Sequence, residues 1–466
     1  MSSFSTGLYG STISSIVNNV NDAFSGKTSG IDVSTVVSEL MQIQRQPEVQ
    51  LQNQQTTINS QVSALTSIST QLTALYTSVN SLKDIFGAFS QNTTGSSDSA
   101  IVSATADSTA AAGTHSITVS KLATTSSSYS GYIPSGTSLG GTQIVINYGS
   151  DPNKPVKTDT INIPSADTTL QQAASYINSG SYGATASVVT DSQGSRLVLV
   201  SKTSGANGNL NVSTSAASFT TAAGIDAQLT VDGVPVDSST NTVTGAIPGV
   251  TLSLGAADAN SSVLVSVQPD TTAASQAIQN FVDAYNAVIG SINSEFTVNS
   301  TTGSEGVLGG DSMLRSLQSS LLSMVSTAAS GAGQYVNLQS LGIEMQNDGT
   351  LQVNSANLSL ALSSNFSDVQ KFFQSTSGWG QAAGTQMLQL TDPTLGPVAA
   401  DINGLKQTNQ GLTDQINDFE LRMSAVQDQL TTQYSSLDAL LQQYPMQLQQ
   451  VAAQLGSLPN TTSSKS

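Results

Sequence analysis

Few residues of this sequence could perform catalytic chemistry. The chain has one histidine, His115, and no cysteine, so neither a histidine pair for zinc nor a thiolate nucleophile exists. A Ser-His-Asp triad would have to use His115, which lies in an alternating segment typical of a β-strand, where a packed or surface ring is expected. Asp414 and Asp418 are four residues apart, but they fall outside the apolar seam of a heptad helix, which predicts a solvated face. These residues indicate neither catalysis nor a metal site.

Two glycine-containing segments resemble phosphate-binding loops only in part. Residues 26–28 read Gly-Lys-Thr, yet the position where that motif needs its first glycine is Asn21. The glycine-rich segment 306–310 precedes a helix, and Asp311 or Ser312 is expected to be its N-cap. We therefore predict no cofactor and no enzymatic activity. The single tryptophan, Trp379, could anchor an interface or lie in a core, and the sequence leaves both interpretations open.

The composition argues against several classes of partner. Charged residues make up 9% of the chain and the net charge is −17, so phosphate backbones and anionic lipids would repel it. No apolar run reaches the roughly 18 residues that a membrane span needs. The first lysine is Lys27, so the N-terminal region lacks the cationic start of a secretory signal. We expect neither nucleic acid nor membrane as a partner, and any export would use another route.

Heptad repeats mark both ends of the chain. Apolar residues recur every seven positions from residue 51 to 86, after an interruption at Pro47, and two such series run between residues 405 and 458. Repeats of this length are typical of supercoiled or bundled helices, and the two segments can pair with each other. Pro445 is expected to kink or break the second helix near Tyr444. The predicted contacts of this helical leg, within one subunit or between subunits, are Leu51, Ile58, Leu65, Leu72, Val79, Leu412, Phe419, Met423, Leu430 and Leu437.

The middle of the chain has a different pattern. Short alternating apolar runs between Gly, Asn, Asp and Pro clusters predict β-structure over residues 100–269, with a tight turn at Asp232-Gly233. One helix is predicted at 168–177, and helices resume at 273–292 and after Gly310, followed by a hairpin around 347–349. The predicted strands are 115–120, 143–147, 186–190, 196–201, 228–231, 250–254 and 263–268.

We therefore predict an α+β multidomain protein. Long terminal heptad helices would form a coiled-coil or bundle leg, and two mainly antiparallel β-domains would form a head. The length of 466 residues supports about three domains. The predicted divisions are a flexible N-terminal segment at 1–50, a leg helix at 51–95, a β head domain at 96–130 plus 225–270, an inserted β head domain with one helix at 131–224, a helical leg domain with a hairpin at 271–400, and a flexible heptad helix at 401–466.

Several segments, in this order, resemble the bacterial flagellar filament cap family of the hook-associated protein 2 (FliD) type. The resemblance extends over nearly the whole chain, although His115 stands where relatives usually carry an aromatic residue. Segments 168–178 and 196–199 resemble the repeat insert of flagellin-related proteins. The segments similar to the cap family are GIDVS at 30–34 with the heptad helix that follows, AQLTVDG at 227–233, STNTV at 239–243, IPGVTL at 247–252, FVDAYN at 281–286, GVLGGD at 306–311, LGI at 341–343 and DGTL at 348–351.

This resemblance implies a non-enzymatic filament cap. Subunits of that family pass through the flagellar export channel, assemble as a ring-like homo-oligomer at the extracellular tip of the flagellum and promote flagellin insertion and polymerisation, which prevents loss of exported subunits. The implied partners are flagellin, an export chaperone, the flagellar export apparatus and the hook-filament junction proteins. Residues 1–50 would be an export and leg segment, and the legs would become ordered against filament subunits below a plate of β-domains. Two alternatives remain open: another flagellar axial protein, or a filament-tip adhesin that binds host glycans.

Overall fold

The structure, a computed structural model, describes residues 13–22, 32–134, 137–166, 169–298, 303–329 and 333–456. The helices are α1 (13–22), α2 (Val33–Gln44), α3 (Gln46–Lys83), α4 (Leu170–Ser179), α5 (Thr271–Phe296), α6 (Ser312–Ser326), α7 (Ser355–Ser364), α8 (Phe366–Gln374), α9 (Trp379–Leu390) and α10 (Pro397–Gly456). The strands are β1 (Asn92–Ser96), β2 (Val102–Ala106), β3 (Gly113–Lys121), β4 (Thr125–Ser130), β5 (Gln143–Tyr148), β6 (Lys157–Asn162), β7 (Ala184–Asp191), β8 (Gly194–Ser204), β9 (Leu210–Thr214), β10 (Phe219–Ala222), β11 (Ala227–Val231), β12 (Val234–Ser238), β13 (Thr242–Ile247), β14 (Val250–Leu254), β15 (Asp258–Pro269), β16 (Ile343–Met345) and β17 (Leu351–Val353).

Long helices occupy both ends of the described chain. The interruption predicted at Pro47 is present. Helix α2 ends at Gln44, a single residue, Arg45, separates it from α3, and Pro47 lies in the first turn of α3, where no N–H is needed. The break predicted at Pro445 is wrong: α10 runs through this position without interruption. Residues 26–28 and Leu458 lie outside the described residues. No helix among those described is both long and apolar enough to cross a bilayer.

A helical body forms the largest core of the protein. The C-terminal half of α3 packs against α5 and α9, and α6 to α8 complete the core together with the β16–β17 hairpin. Asp311 caps α6 as predicted, since its Oδ1 accepts hydrogen bonds from the backbone N–H groups of Met313 and Leu314 at 2.7 and 3.1 Å. The predicted hairpin is also present, with Gly349 at φ 83° in its turn.

The first head domain is an antiparallel β-structure built from two separate segments of the chain. Its larger sheet has the order β1-β15-β3-β11-β12, and a smaller one has the order β13-β14-β2. Apolar side chains of both sheets, including Ile117, Leu252 and Val265, share one core. Asp232 and Gly233 join β11 to β12 with φ of 51° and 83°, the left-handed pair that a two-residue type I′ turn requires.

The second head domain is inserted between β3 and β11. It contains the sheets β10-β4-β8-β7 and β6-β5-β9, and α4 packs on β7. Thr169 and Gln172 form a capping box that starts α4. Because β4 pairs with β8 and β10, we place the junction of the two head domains near Thr124, and not at residue 131. All strand pairs described in both head domains are antiparallel, as the fold prediction required.

Candidate assembly surface on the terminal helices

The two heptad helices α3 and α10 pair within one subunit. Gln55 Nε2 donates to Thr413 Oγ1 at 2.8 Å, and Asn409 Nδ2 donates to Asn59 Oδ1 at 2.9 Å. Residue numbers fall along α10 as they rise along α3, so the two helices are antiparallel. The apolar side chain of Leu412 is buried between these polar contacts. The pairing follows the heptad pattern, because a seven-residue repeat keeps one face of each helix toward its partner.

A second, smaller contact joins α2 to α10. Val37, Met41 and Met423 form its buried centre, and the half-buried side chains around it are Val33, Phe419, Val426, Leu430 and Tyr434. Arg45, at the end of α2, lies 2.8 Å from the carboxylate of Glu48 and 3.8 Å from that of Glu420 on α10. A groove of about 720 Å³ remains open between the two helices. This part of the leg is therefore much less tightly packed than the helical body.

The ten residues predicted as leg contacts fall into different environments. Leu65, Leu72 and Val79 are buried in the helical body, mainly through the packing of α3 on α5 and α9. Leu51 and Ile58 are half-buried on the N-terminal half of α3, while Leu412 and Met423 are buried on α10. Phe419 and Leu430 belong to the α2–α10 contact, and Leu437 is half-buried beyond it. Their role in contacts between subunits stays a prediction.

Further exposed apolar residues of the leg lie beyond Leu437 on α10. Leu440, Tyr444 and Val451 are 57%, 63% and 51% exposed. Tyr444 and Val451 continue the heptad series of Leu430 and Leu437, so the stripe that is packed near Met423 becomes solvent-exposed towards the C-terminal end. The sequence contains this signal, because the heptads extend beyond residue 437. It does not show which part of the heptad series packs against another helix and which part stays exposed.

This exposed stripe is also free of charge. After Asp438, α10 carries no Asp, Glu, Lys or Arg up to Gly456. At the other end of the chain, α1 exposes Ile13 and Val17 and contacts α2 through a hydrogen bond from Ser15 Oγ to Glu39 Oε1 at 2.6 Å. An uncharged apolar surface costs little to desolvate, and such patches mark sites of protein association.

The other residues considered for chemistry have structural roles. His115 Nδ1 lies 2.8 Å from Asp232 Oδ2, and that hydrogen bond, with one from the Ser116 N–H, lowers the pKa of Asp232. Trp379 is 1% exposed, and its Nε1 donates to the Met324 carbonyl at 3.0 Å. Asp414 and Asp418 are exposed, as predicted. Among the described residues, no group of three or more His, Cys, Asp or Glu side chains could hold a metal ion.

Models of known protein families match most of the chain. The model described as flagellar hook-associated protein 2 N-terminus matches residues 29–126, and the model for the C-terminus of the same protein matches residues 224–445. A third model, the flagellin hook IN motif, matches residues 143–203 inside the second head domain. The two models of one family therefore coincide with the legs, the helical body and the first head domain, and the third with the insertion.

Individual relatives agree with this result. The B-type flagellar hook-associated protein 2 of Pseudomonas aeruginosa is 27% identical over 466 aligned residues, which cover 92% of this chain and 96% of the relative. The flagellar hook-associated protein 2 of Escherichia coli K12 is 28% identical over 453 residues, covering 89% and 94%. The crystal structure of the D1-D2-D3 domains of the flagellar cap protein FliD from Escherichia coli covers 74% of this chain and 99% of its own, with a TM-score of 0.59 and 28% identity. This chain belongs to the flagellar hook-associated protein 2 (FliD) family, a family of structural flagellar components.

Proposed function

We propose that this protein caps the growing flagellar filament, promotes flagellin insertion and polymerisation, and prevents loss of exported subunits. The observation that carries the proposal is the uncharged, exposed apolar stripe of α10 around Leu440, Tyr444 and Val451. In a member of this family, such a stripe at the end of a leg is suited to contacts with filament subunits. The antiparallel β-domains would form the plate above.

The energetics of this stripe favour contacts that form and break. Burying one large apolar side chain contributes about 1.5–3 kcal/mol, and part of that is offset by the entropy lost when a helix is ordered. A few such side chains hold a leg on a filament subunit without fixing it permanently. A surface of this kind is compatible with a cap that releases one subunit and binds the next.

The proposed partners follow from the same role. The subunits would form a ring-like homo-oligomer outside the cell, contact flagellin at the filament tip, and reach it through the flagellar export apparatus with the help of an export chaperone. Hook-filament junction proteins would be the first surface on which the cap sits. The rival role, a filament-tip adhesin, predicts that the protein binds glycans and that filaments grow normally in a strain without this protein.

The test uses the bacterium that produces this chain, with its own copy deleted. The full chain restored in trans should give long filaments, whereas the deletion strain should release unpolymerised flagellin into the medium. We expect the double substitution Leu440→Asp with Tyr444→Asp to behave like the deletion, because two charges would be buried in an apolar contact. Gln443→Asp, an exposed polar neighbour on the same helix, is the matched control.

The outcomes separate the candidate functions. Capping is supported if the Leu440 and Tyr444 variant gives short or absent filaments while the control gives normal ones. Both variants should have the same thermal unfolding temperature. Filaments of normal length from the deletion strain would refute capping and favour the adhesin.

A further inference from the structure

The inserted head domain is connected to the first head domain by two chain segments that lie side by side. The segment that enters the insertion passes through Thr124, and the segment that leaves it passes through Ile225. The N–H of Thr124 donates to the Ile225 carbonyl at 3.0 Å, and the N–H of Ile225 donates to Thr124 Oγ1 at 3.2 Å. Two adjacent connections by themselves would act as one hinge, because the inserted domain would be free to rotate about them.

A third segment, which is not part of either connection, also spans the junction. It lies at the end of β8, in the inserted domain. Ser204 Oγ donates to the Ser239 carbonyl at 2.7 Å, and the N–H of Ala206 donates to Asp226 Oδ1 at 2.7 Å. Asp226 and Ser239 belong to the first head domain, at the two ends of the β11–β12 hairpin. The inserted domain therefore contacts the first head domain directly, in addition to its two connections.

Gly205, at the centre of this third segment, is a position that suits only glycine. It is buried, with φ 76° and ψ −179°, a combination that residues with a Cβ rarely adopt. A Cβ added there would overlap Asp226 Oδ1 and would lie 2.7 Å from the carbonyl oxygen of Ser239 and 2.8 Å from its Cα. The N–H of Gly205 also donates to the Thr124 carbonyl at 3.0 Å. The lack of a side chain thus lets this segment contact both the first head domain and the entering connection.

Both connections are also held by side-chain amides. In the entering connection, the backbone N–H and carbonyl of Ala123 are both bonded to the side chain of Asn241 in the first head domain. In the leaving connection, the N–H of Gly224 donates to Asn209 Oδ1 of the inserted domain at 2.6 Å. Hydrogen bonds that fix the backbone on both sides of a junction leave few torsion angles free to absorb a rotation.

We propose that this junction is a lock that makes the two head domains move as one rigid body, and that the close approach of Gly205 to Asp226 and Ser239 holds the lock. The purpose of the lock rests on the proposed function: a rigid pair of head domains keeps the shape of the plate while the cap works on the filament. Its existence is a property of the isolated chain and can be measured separately.

The first experiment measures the distance between the head domains in the full-length chain. Because the sequence has no cysteine, the exposed residues Ser175 on α4 and Thr93 on β1 can be changed to Cys and spin-labelled. Ser175 with the exposed Thr220 on β10 is the reference pair, since both residues lie in the inserted domain. We expect the distance distribution between the domains to be no wider than that of the reference pair. A much wider distribution would overturn the lock.

The second experiment removes the close approach. We expect Gly205→Ala to widen the distribution between the domains at least twofold, because the added Cβ forces residues 204–206 away from the first head domain. Gly141→Ala is the matched control: Gly141 lies in the inserted domain with φ 78°, and a Cβ there meets nothing within 4 Å. Widening in both variants, or in neither, would overturn the role assigned to Gly205.

A pair of variants at Asp226 decides the question even if Gly205→Ala does not fold. Asp226→Ala removes the acceptor for the Ala206 N–H and should widen the distribution, whereas Asp226→Asn keeps an oxygen at this position and should preserve the narrow one. Circular dichroism should show the same secondary structure in both variants. Equal widths for Asp226→Ala and Asp226→Asn would contradict the lock.

The last experiment asks whether the lock serves assembly. In the deletion strain, the chain with Gly205→Ala should give filaments several-fold shorter than the chain with Gly141→Ala. A widened distance distribution with filaments of normal length would overturn the role of the lock in assembly. If the unsubstituted chain does not support filament growth at all, the proposed function fails, and the distance measurement still decides whether the lock exists.

Discussion

Two asparagine side chains connect backbone segments that are far apart in the sequence. Asn286 donates to the Leu351 carbonyl at 2.8 Å and accepts from its N–H at 2.6 Å, which fastens the β16–β17 hairpin to α5. Asn241 forms the same pair of hydrogen bonds with Ala123, at 3.0 and 2.7 Å, next to the junction of the two head domains. Segments 281–286 and 348–351, which resemble the family separately, therefore meet in space through one amide.

A substitution of Trp379, the single tryptophan, tests whether this residue stabilises the core or anchors an interface. Its ring stacks on Phe372 at 6.0 Å and meets Phe281 and Phe373 edge-on at 5.2 and 5.8 Å. We expect Trp379→Ala to lower the free energy of unfolding by about 3–5 kcal/mol, because it leaves a large cavity. Urea unfolding followed by circular dichroism measures this. Nearly unchanged stability with lost assembly would instead indicate an interface role.

Asp401 makes the stability of the helical body depend on pH. Burial raises its pKa, and the charge and hydrogen bond of Asp311 raise it further. The folded state therefore holds this proton more tightly than the unfolded chain, so stability is present at low pH and is lost as the pH rises through the raised pKa. We expect Asp401→Asn to raise the free energy of unfolding at neutral pH by about 1 kcal/mol, since the buried carboxylate oxygen lacks a partner.

Urea unfolding at neutral pH and at about pH 4, near the ordinary carboxyl pKa, checks this expectation. The gain should disappear at the lower pH, where the folded state already carries the proton. Asp414→Asn, at an exposed position of the same helix, is the control and should change little. An equal gain at both pH values would contradict the assignment of the effect to the ionised carboxylate.

At the scale of elements, each heptad helix has more than one partner. The N-terminal half of α3 faces α10 across polar contacts, whereas its C-terminal half is buried against α5 and α9. In α10, the stripe passes from the body to α2 and then into solvent. A single periodic pattern thus supplies a core, a loose contact and an unoccupied surface in turn.

Leu430 lies in the contact between α2 and α10, so a substitution at Leu430 tests the role of this contact. Leu430→Asp places a charge against the apolar cluster that includes Val37 and Met41 of α2, so we expect the local stability of the leg to fall by about 2–3 kcal/mol. Hydrogen exchange should accelerate in α2 and distal α10 and stay unchanged in the β-domains, and filament capping should be lost. Gln429→Asp, an exposed neighbour, is the control. Unchanged filament growth in the Leu430 variant would contradict the role of this contact.

At the scale of the whole molecule, charge governs how copies can approach one another. The net charge of −17 opposes association of copies except through surfaces that are locally neutral. Long stretches of the chain provide such surfaces, including α3 from Val49 to Leu82 and α10 after Asp438, where no charged residue occurs. Self-association should therefore be selective and sensitive to salt.

Light scattering on the full-length chain measures the proposed oligomer directly. We expect a species of several subunits whose fraction rises when salt is increased from about 0.01 to 0.15 M, because the screening length falls from about 30 to 8 Å. A chain that lacks residues 1–50 and 401–466 should keep folded head domains and lose filament growth. A strict monomer under all conditions would contradict the ring and leave the adhesin as the stronger alternative.

Local patterns of residues are enough to predict many of the individual helices and strands. Heptads predicted α3 and α10, alternation predicted seven strands that are all present, and Asp232-Gly233 predicted the turn that the two positive φ values confirm. Strands such as β1 and β4 were missed, because their Ser- and Thr-rich sequences lack apolar alternation. Helices α7 to α9 were missed as well. The spacing of apolar residues indicates only which face of a helix or strand is buried.

The tertiary structure alone decided which partner each face takes. Leu65 and Leu72 continue the same heptad series as Leu51, yet they enter the body core, because α5 and α9 offer apolar surfaces there. Pairing with β8 and β10 assigned β4 to the inserted domain. Which partner a face packs against depends on contacts between segments that are distant in the chain. The spacing of residues along one segment carries no information about those contacts.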